Sequence, residues 1–168
     1  VECIKGGTRE YFDVSQDTSE LVSAIRDEMS LSTKEKISGY NIDEIVGTSD
    51  AISSLREQLK QVYHNRQPVL ICGELGTGKS LAAKTIHANG RQFEEPFFSI
   101  DCSSASQALL EAELFGGEAY NQPGLLQIND GRTVYLKEIS ALDKSAQALL
   151  RNYLKQENRN LAPRIIAG

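Results

Sequence analysis

One stretch near the middle of the chain, Gly73-Glu74-Leu75-Gly76-Thr77-Gly78-Lys79-Ser80, restricts the possible folds more than any other. It fits the pattern of glycine, four residues of any type, glycine, lysine, then serine or threonine. Before it runs Val69-Leu70-Ile71-Cys72, a short continuous apolar segment of the kind a parallel strand buried on both faces needs. After it, Leu81, Ala82, Ala83 and Ile86 predict a helix from about Lys79 to Ala88. Gly73, Gly76 and Gly78 let the main chain turn tightly, so that successive N–H groups point inward at phosphate oxygens. The start of the helix adds its partial positive charge. Lys79 can reach β- and γ-phosphates, and the Ser80 hydroxyl can ligate Mg²⁺. The ligand class is a nucleoside triphosphate or diphosphate, and the motif does not choose the base.

Composition removes several other classes. The formal net charge of the 168 residues is -5, which argues against holding a nucleic-acid backbone by bulk charge. No apolar run approaches the roughly 20 residues of a membrane helix. The start, Val1-Glu2-Cys3-Ile4-Lys5-Gly6-Gly7, lacks a charged-then-apolar secretory pattern. Cys3, Cys72 and Cys102 are odd in number and not spaced as metal ligands, so a reduced, cytoplasmic setting is expected. Cys72 and Cys102 are expected to be small buried groups at strand ends. The only methionine is Met29, and the last residues form an apolar run, Ile165-Ile166-Ala167-Gly168. The expectation is a piece of a longer protein.

Along the chain, Glu10-Tyr11-Phe12-Asp13-Val14 reads as a short strand. Asp17 with Glu20 gives a capping-box pattern before a helix carrying Leu21, Val22, Ile25 and Met29. The apolar period fails from Ser30 to Asp43, which predicts a linker. A helix begins near Ser49 or Asp50, with Ile52, Leu55, Leu59 and Val62 on one face. Further strands are expected at 97–100, 133–136 and 164–167, and helices at 107–115 and after Asp143. This alternation implies right-handed crossovers and a mainly parallel α/β sheet covered on both faces. His64 and His87 are lone, and both are expected on helix surfaces rather than at a metal. Arg151, Lys155 and Arg159 read as a solvated face or a contact with a neighbouring subunit.

Hydrolysis at a phosphate loop needs an acidic strand end, usually an Asp that helps to hold Mg²⁺. The candidate is Val134-Tyr135-Leu136-Lys137-Glu138. Glu138 can orient or deprotonate water, but Lys137 precedes it, and an ammonium cannot ligate a metal. Lys137 either pairs with phosphate or Glu138, or snorkels to solvent.

Four stretches together with these features resemble the central AAA+ domain of sigma-54-dependent bacterial transcription activators. They are Ile45-Val46-Gly47, residues 73–80, Pro96-Phe97-Phe98-Ser99-Ile100-Asp101-Cys102, and Leu110-Glu111-Ala112-Glu113-Leu114-Phe115-Gly116. Pro123-Gly124 and Asp130-Gly131-Arg132-Thr133 continue the likeness in order. It covers roughly 44–168. Residues 32–43 are then a linker, and 1–31 resemble the last part of a receiver domain of response-regulator type. The resemblance implies a three-layer P-loop NTPase fold and an ATP-driven ring or dimer that remodels RNA polymerase carrying sigma-54. It also implies DNA binding only through a domain outside this chain. It assigns Gly73, Glu74, Leu75, Gly76, Thr77, Gly78, Lys79 and Ser80, with the following Leu81, to ATP, and Ser80 to Mg²⁺. Val46 and Gly47 fall near the adenine, Glu138 with Lys79 at the catalytic position, and Asp101 at a switch position that restrains the glutamate.

The chain departs from that family in ways that change the expected chemistry. Lys137 replaces the metal-binding Asp and weakens Mg²⁺, while Asp101 replaces an Asn. Only Gly117-Glu118-Ala119-Tyr120-Asn121-Gln122 separate Gly116 from Pro123, where the family has a longer GAFTGA-type loop that touches sigma-54. Val14-Ser15 stand in place of Lys-Pro in the receiver-like part. The lid subdomain is absent from the sequence. The expectation is an ATP-binding regulatory module with impaired hydrolysis and no such contact loop. The alternatives are an active ATPase that remodels sigma-54 polymerase, and a decayed scaffold that binds no nucleotide.

Overall fold

The structure is a computed structural model that describes residues 32–35, 37, 39–91, 93–116, 123–128, 130–155 and 162–168. Chain contacts separate Val1–Ser30 from Leu31–Gly168. The strand and helix expected within 1–31, and the short segment 117–122, lie outside the described residues. In chain order the elements are strand β1 (Ser32–Glu35), helix α1 (Asp50–Val62), strand β2 (Val69–Leu70), helix α2 (Lys79–Ala88) and strand β3 (Phe97–Asp101). Helix α3 (Gln107–Phe115), strand β4 (Thr133–Lys137), helix α4 (Lys144–Leu154) and strand β5 (Arg164–Ala167) follow. Single 3-10 turns lie at Ile42–Glu44 and Ile139–Ala141.

The strands form one sheet in the order β1-β3-β4-β5-β2. All pairs are parallel except β1 with β3. Side chains alternate across the sheet, because successive strand residues point to opposite faces. On one face Ile100, Val134, Leu136, Ile165 and Ala167 pack with Leu110 and Leu114 of α3 and Ala146 and Leu150 of α4. On the other, Phe97, Tyr135 and Ile166 pack with Leu59 of α1 and Ala82, Ala83 and Ile86 of α2. This is the three-layer α/β arrangement expected from the sequence.

Local signals explain the helix starts. The Ser49 hydroxyl accepts from the Ile52 N–H at 3.4 Å, and the Asp143 carboxylate accepts from the Ala146 N–H at 2.9 Å. Each satisfies an otherwise unpaired donor in the first turn. At the far end of α1, the buried Arg164 guanidinium donates to the carbonyls of Tyr63 (3.2 Å) and Val62. A cation there complements the negative end of the helix and ties α1 to β5.

Four expectations need correction. The segment expected as pure linker contains β1, which runs antiparallel to β3. Its sequence, Ser-Thr-Lys-Glu, has no apolar alternation, so nothing local predicts a strand; polar contacts on both faces hold it instead. Ser32 Oγ donates to Glu113 of α3 at 2.5 Å. On the opposite face Glu35 accepts from Ser99 Oγ at 2.7 Å and pairs with Lys84 of α2. Those two donors hold the Glu35 carboxyl below its ordinary pKa against the opposing effect of burial.

Within 69–72 only Val69–Leu70 form the parallel strand β2, and it is not buried on both faces. Among the described residues β2 has a single neighbour, β5. Val69 and Ile71 pack against the α1/α2 side, whereas Leu70 is 64% exposed. Cys72, on the same side as Leu70, is exposed rather than buried; Cys102 is buried as expected.

His87 is not on a surface. It is 2% exposed, with Nδ1 2.8 Å from Thr133 Oγ1 and its ring centroid 5.2 Å from that of Phe97. Burial, helped by the nearby Arg164 charge, pushes its pKa down to about 4.

Two outcomes follow from these contacts. Glu35→Ala removes an acceptor for Ser99 and Lys84, and is expected to lower the unfolding free energy by about 1–3 kcal/mol. Urea unfolding checks it; an unchanged midpoint contradicts the clamp. His87 remains neutral in the fold until pH falls to about 4, while in the unfolded chain it protonates near 6.5. Between those values the unfolded state binds more protons, so stability falls as pH falls, by roughly 3 kcal/mol in all. Above 6.5 His87 contributes no pH dependence. Melting temperature against pH is expected to slope less steeply across this window in His87→Asn than in the wild type. Equal slopes contradict the assignment.

Candidate functional site

The parallel register sets Asp101 beside Lys137 at the C-terminal ends of β3 and β4. Alternation along β4 places Tyr135 and Lys137 on the same side as α2. The loop that leaves β2 and enters α2 lies on this side too. Together they line a cleft of about 480 Å³, with Leu75, Gly76, Gly78, Lys79 and Ser80 on the loop side. Asp101, Ser103, Tyr135, Lys137 and Glu138 line it from the sheet. The loop and the strand end that the sequence pairs thus face one cleft.

The loop is shaped by its glycines. Gly76 and Gly78 adopt φ of +80° and +93°, the left-handed region that glycine enters without steric cost. At Gly73 a Cβ would stand 2.7 Å from Thr77 Oγ1. Thr77 donates that hydroxyl to the Glu74 carbonyl at 2.8 Å, closing the turn. Lys79 Nζ folds back over the loop and donates to the carbonyls of Gly73 (3.0 Å) and Glu74 (3.4 Å). It also lies 3.6 Å from Glu138 Oε1. A turn of amides opening at a helix start, with one ammonium held above it, suits a multiply charged anion.

Beneath the loop, Ser80 Oγ is 3.5 Å from the Tyr135 hydroxyl. Burial raises the Tyr135 pKa, so this phenol stays neutral. Tyr135 was not singled out from the sequence, although its position two residues before Lys137 in a strand already implies a shared face. Ser103 was also missed. Its N–H and hydroxyl both donate to Asp101 Oδ1, at 2.9 and 2.6 Å. These bonds, with a smaller contribution from Lys137, hold the Asp101 carboxyl below its ordinary pKa. No hydrogen bond joins Asp101 to Glu138 among the described residues. Glu138 has φ +49°, the only non-glycine residue there with positive φ among those described. A left-handed glutamate costs on the order of 1–3 kcal/mol, a cost found most often at functional sites.

The other expected site residues are placed differently. Leu81 turns away from the cleft and packs, half-buried, against the α1/α2 core. Val46 is 86% exposed, and neither it nor Gly47 belongs to the lining. Their segment is fixed by Arg56 of α1, which donates to the carbonyls of Ile45 and Gly47.

Ser80 Oγ is a neutral ligand of the right kind for Mg²⁺, which takes one or two carboxylates besides phosphate oxygens. Of the two carboxylates in the lining, Asp101 accepts from Ser103 on Oδ1, and Glu138 Oε1 lies 3.6 Å from the Lys79 ammonium. Lys137 adds a second ammonium, so the four charged side chains of the lining sum to zero. No group of three or more His, Cys, Asp or Glu among the described residues can hold a metal ion. What sets this lining against a resident Mg²⁺ is Lys137, whose ammonium at the end of β4 repels a dication and cannot ligate it.

Comparison with known proteins agrees with this architecture. The family model described as "Sigma-54 interaction domain" matches residues 45–161. Transcriptional activator RocR of Bacillus subtilis (strain 168) is 35% identical over 157 residues, which is 90% of this chain and 33% of RocR. The Nif-specific regulatory protein of Rhodobacter capsulatus is 37% identical over 123 residues, 69% of this chain and 21% of that protein. The chain thus spans a third or less of these relatives. Among solved structures, NtrX from Brucella abortus in complex with ATP superposes with a TM-score of 0.63 at 29% identity. That match covers 89% of this chain and 35% of NtrX. The P-loop NTPase domain of a sigma-54 transport activator from E. coli, at 22% identity and a TM-score of 0.53, shares the fold. A match running from the segment before α1 to the approach to β5 makes the chain a member of the sigma-54 interaction domain family, with the AAA+ P-loop NTPase fold.

Proposed function

We propose that this domain is the ATP-binding AAA+ module of a bacterial sigma-54-type transcription regulator, in which nucleotide binding is retained and hydrolysis is impaired. The observation that carries the reading is the composition of the cleft: an intact phosphate loop, with Lys79 above it, faces a strand end that supplies Lys137 where an acid is needed. Residues 73–80 cradle the phosphates, Lys79 contributes a charge-assisted hydrogen bond, and Glu138 stands where attacking water would be oriented. NtrX, a relative of the same fold, is a complex with ATP in one structure and with ADP in another. That relationship supports an adenine nucleotide here. A metal that neutralises charge in the transition state is worth several kcal/mol, and its weakening by Lys137 is the reason for slow turnover.

On this reading the nucleotide acts by controlling assembly, as a dimer or ring, rather than by delivering work to polymerase. The six residues 117–122 are short for a loop that contacts sigma-54, and DNA is reached through another domain. The residues 1–31 belong to a receiver-like part joined by the segment that includes β1. No helix of the described residues is long and apolar enough to cross a membrane, which agrees with a cytoplasmic regulator.

A fluorescent ATP analogue titrated into the purified protein is expected to bind saturably. Lys79→Ala should weaken it about tenfold to a hundredfold, the value of one hydrogen bond to a charged group. Phosphate release should remain near background and be unaltered in Glu138→Gln. No binding contradicts the reading as a whole. Sustained turnover that Glu138→Gln abolishes contradicts impaired hydrolysis and favours the active ATPase.

A further inference from the structure

The cleft that does not fit Mg²⁺ holds instead a cation of its own. Lys137 lies in the lining opposite the loop, on the same strand face as Tyr135, whose hydroxyl touches Ser80. The carboxylates around it are Asp101, its neighbour in the β3–β4 register, Glu138, the next residue in the chain, and Glu35, on which its charge also acts. Glu35 is shared between Ser99 and Lys84 through its two oxygens, and Asp101 accepts twice from Ser103 on Oδ1. Among the described residues Lys137 forms no salt bridge. Its main chain is held in the β3–β4 ladder, and its ammonium has no hydrogen-bond acceptor among the described residues. Lys79 supplies a second ammonium from the loop side.

We propose that this domain binds its nucleotide as the metal-free polyphosphate anion, with the Lys137 ammonium occupying the place and supplying part of the charge of Mg²⁺. The inference rests on the nucleotide-binding reading above and specifies the form of the ligand. Bare ATP carries two more negative charges than its Mg²⁺ complex; with Lys137 in place of an acid the lining is neutral, and its two ammoniums face the phosphates. A bound dication would be set against both lysines while its natural acid partner is missing. The domain and Mg²⁺ therefore compete for the same phosphate oxygens, and by linkage each weakens the binding of the other. Nucleotide occupancy then responds to free Mg²⁺ as well as to ATP.

Isothermal titration of the purified wild-type protein with ATP tests this, once in EDTA and once with MgCl₂ in excess over ATP. Binding is expected in EDTA, and weaker by about tenfold or more with Mg²⁺, a change of about 1.4 kcal/mol. Lys137→Asp, which alters the cleft by two charges, is expected to reverse the order: weak binding in EDTA, restored by Mg²⁺. Lys137→Gln keeps the size of the side chain and is expected to lose affinity in EDTA without gaining a requirement for metal. Thermal melts of both variants establish that they fold. Wild-type binding that Mg²⁺ strengthens or leaves unchanged overturns the inference and leaves nucleotide binding intact. Absence of binding in both conditions overturns the nucleotide reading itself, and this inference with it.

Discussion

The parallel ladders that β4 makes with β3 on one side and β5 on the other hold both the core and the cleft. Val134 and Leu136 face one helical layer and Tyr135 the other, and all three are essentially excluded from solvent. Burying large apolar side chains on both faces contributes about 1.5–3 kcal/mol each, and a one-residue slip would exchange the two faces. The register is therefore strongly specified. It is the same register that sets Lys137 beside Asp101 and delivers Glu138 at the strand end. The chemistry of the site is inherited from the packing of the sheet rather than from contacts within the site.

The loop depends on this frame as well. Ile71 continues the pairing of β2 with β5 through its N–H to the Ala167 carbonyl at 2.8 Å. The last position paired with β5 before Gly73 is thereby fixed, and α2 departs over Tyr135 and Ile166. Between these anchors the glycines choose the path of the turn. Binding residues on a loop carried by a rigid strand and helix is a general solution; here the opposing wall of the cleft is carried by the ends of β3 and β4.

Much of this was legible in the amino-acid order because the determinants are local. Ser49 and Asp143 announce helix starts three residues ahead, apolar spacing gives α3 and α4, and the phosphate loop is contiguous. What was not legible depends on residues distant in sequence. Strand β1 has no apolar pattern and exists through Glu113, Ser99 and Lys84. His87 appears as a surface residue until Thr133 and Phe97 are brought beneath it. An apolar run cannot state how many neighbours it has, so the exposure of Leu70 and Cys72 was hidden. Within the cleft, the sequence supplied Lys137 but not its surroundings. That Ser103 bonds Asp101 Oδ1, and that Lys137 forms no salt bridge among the described residues, required three dimensions.

The central claim is that the amides of the turn after β2 grip a polyphosphate. The most direct measurement is a series of ¹H–¹⁵N correlation spectra of the labelled protein during titration with ATP. The amide signals of Gly76, Thr77, Gly78, Lys79 and Ser80 are expected to move together and saturate with one dissociation constant. The largest shifts appearing elsewhere, or none at all, would contradict the account.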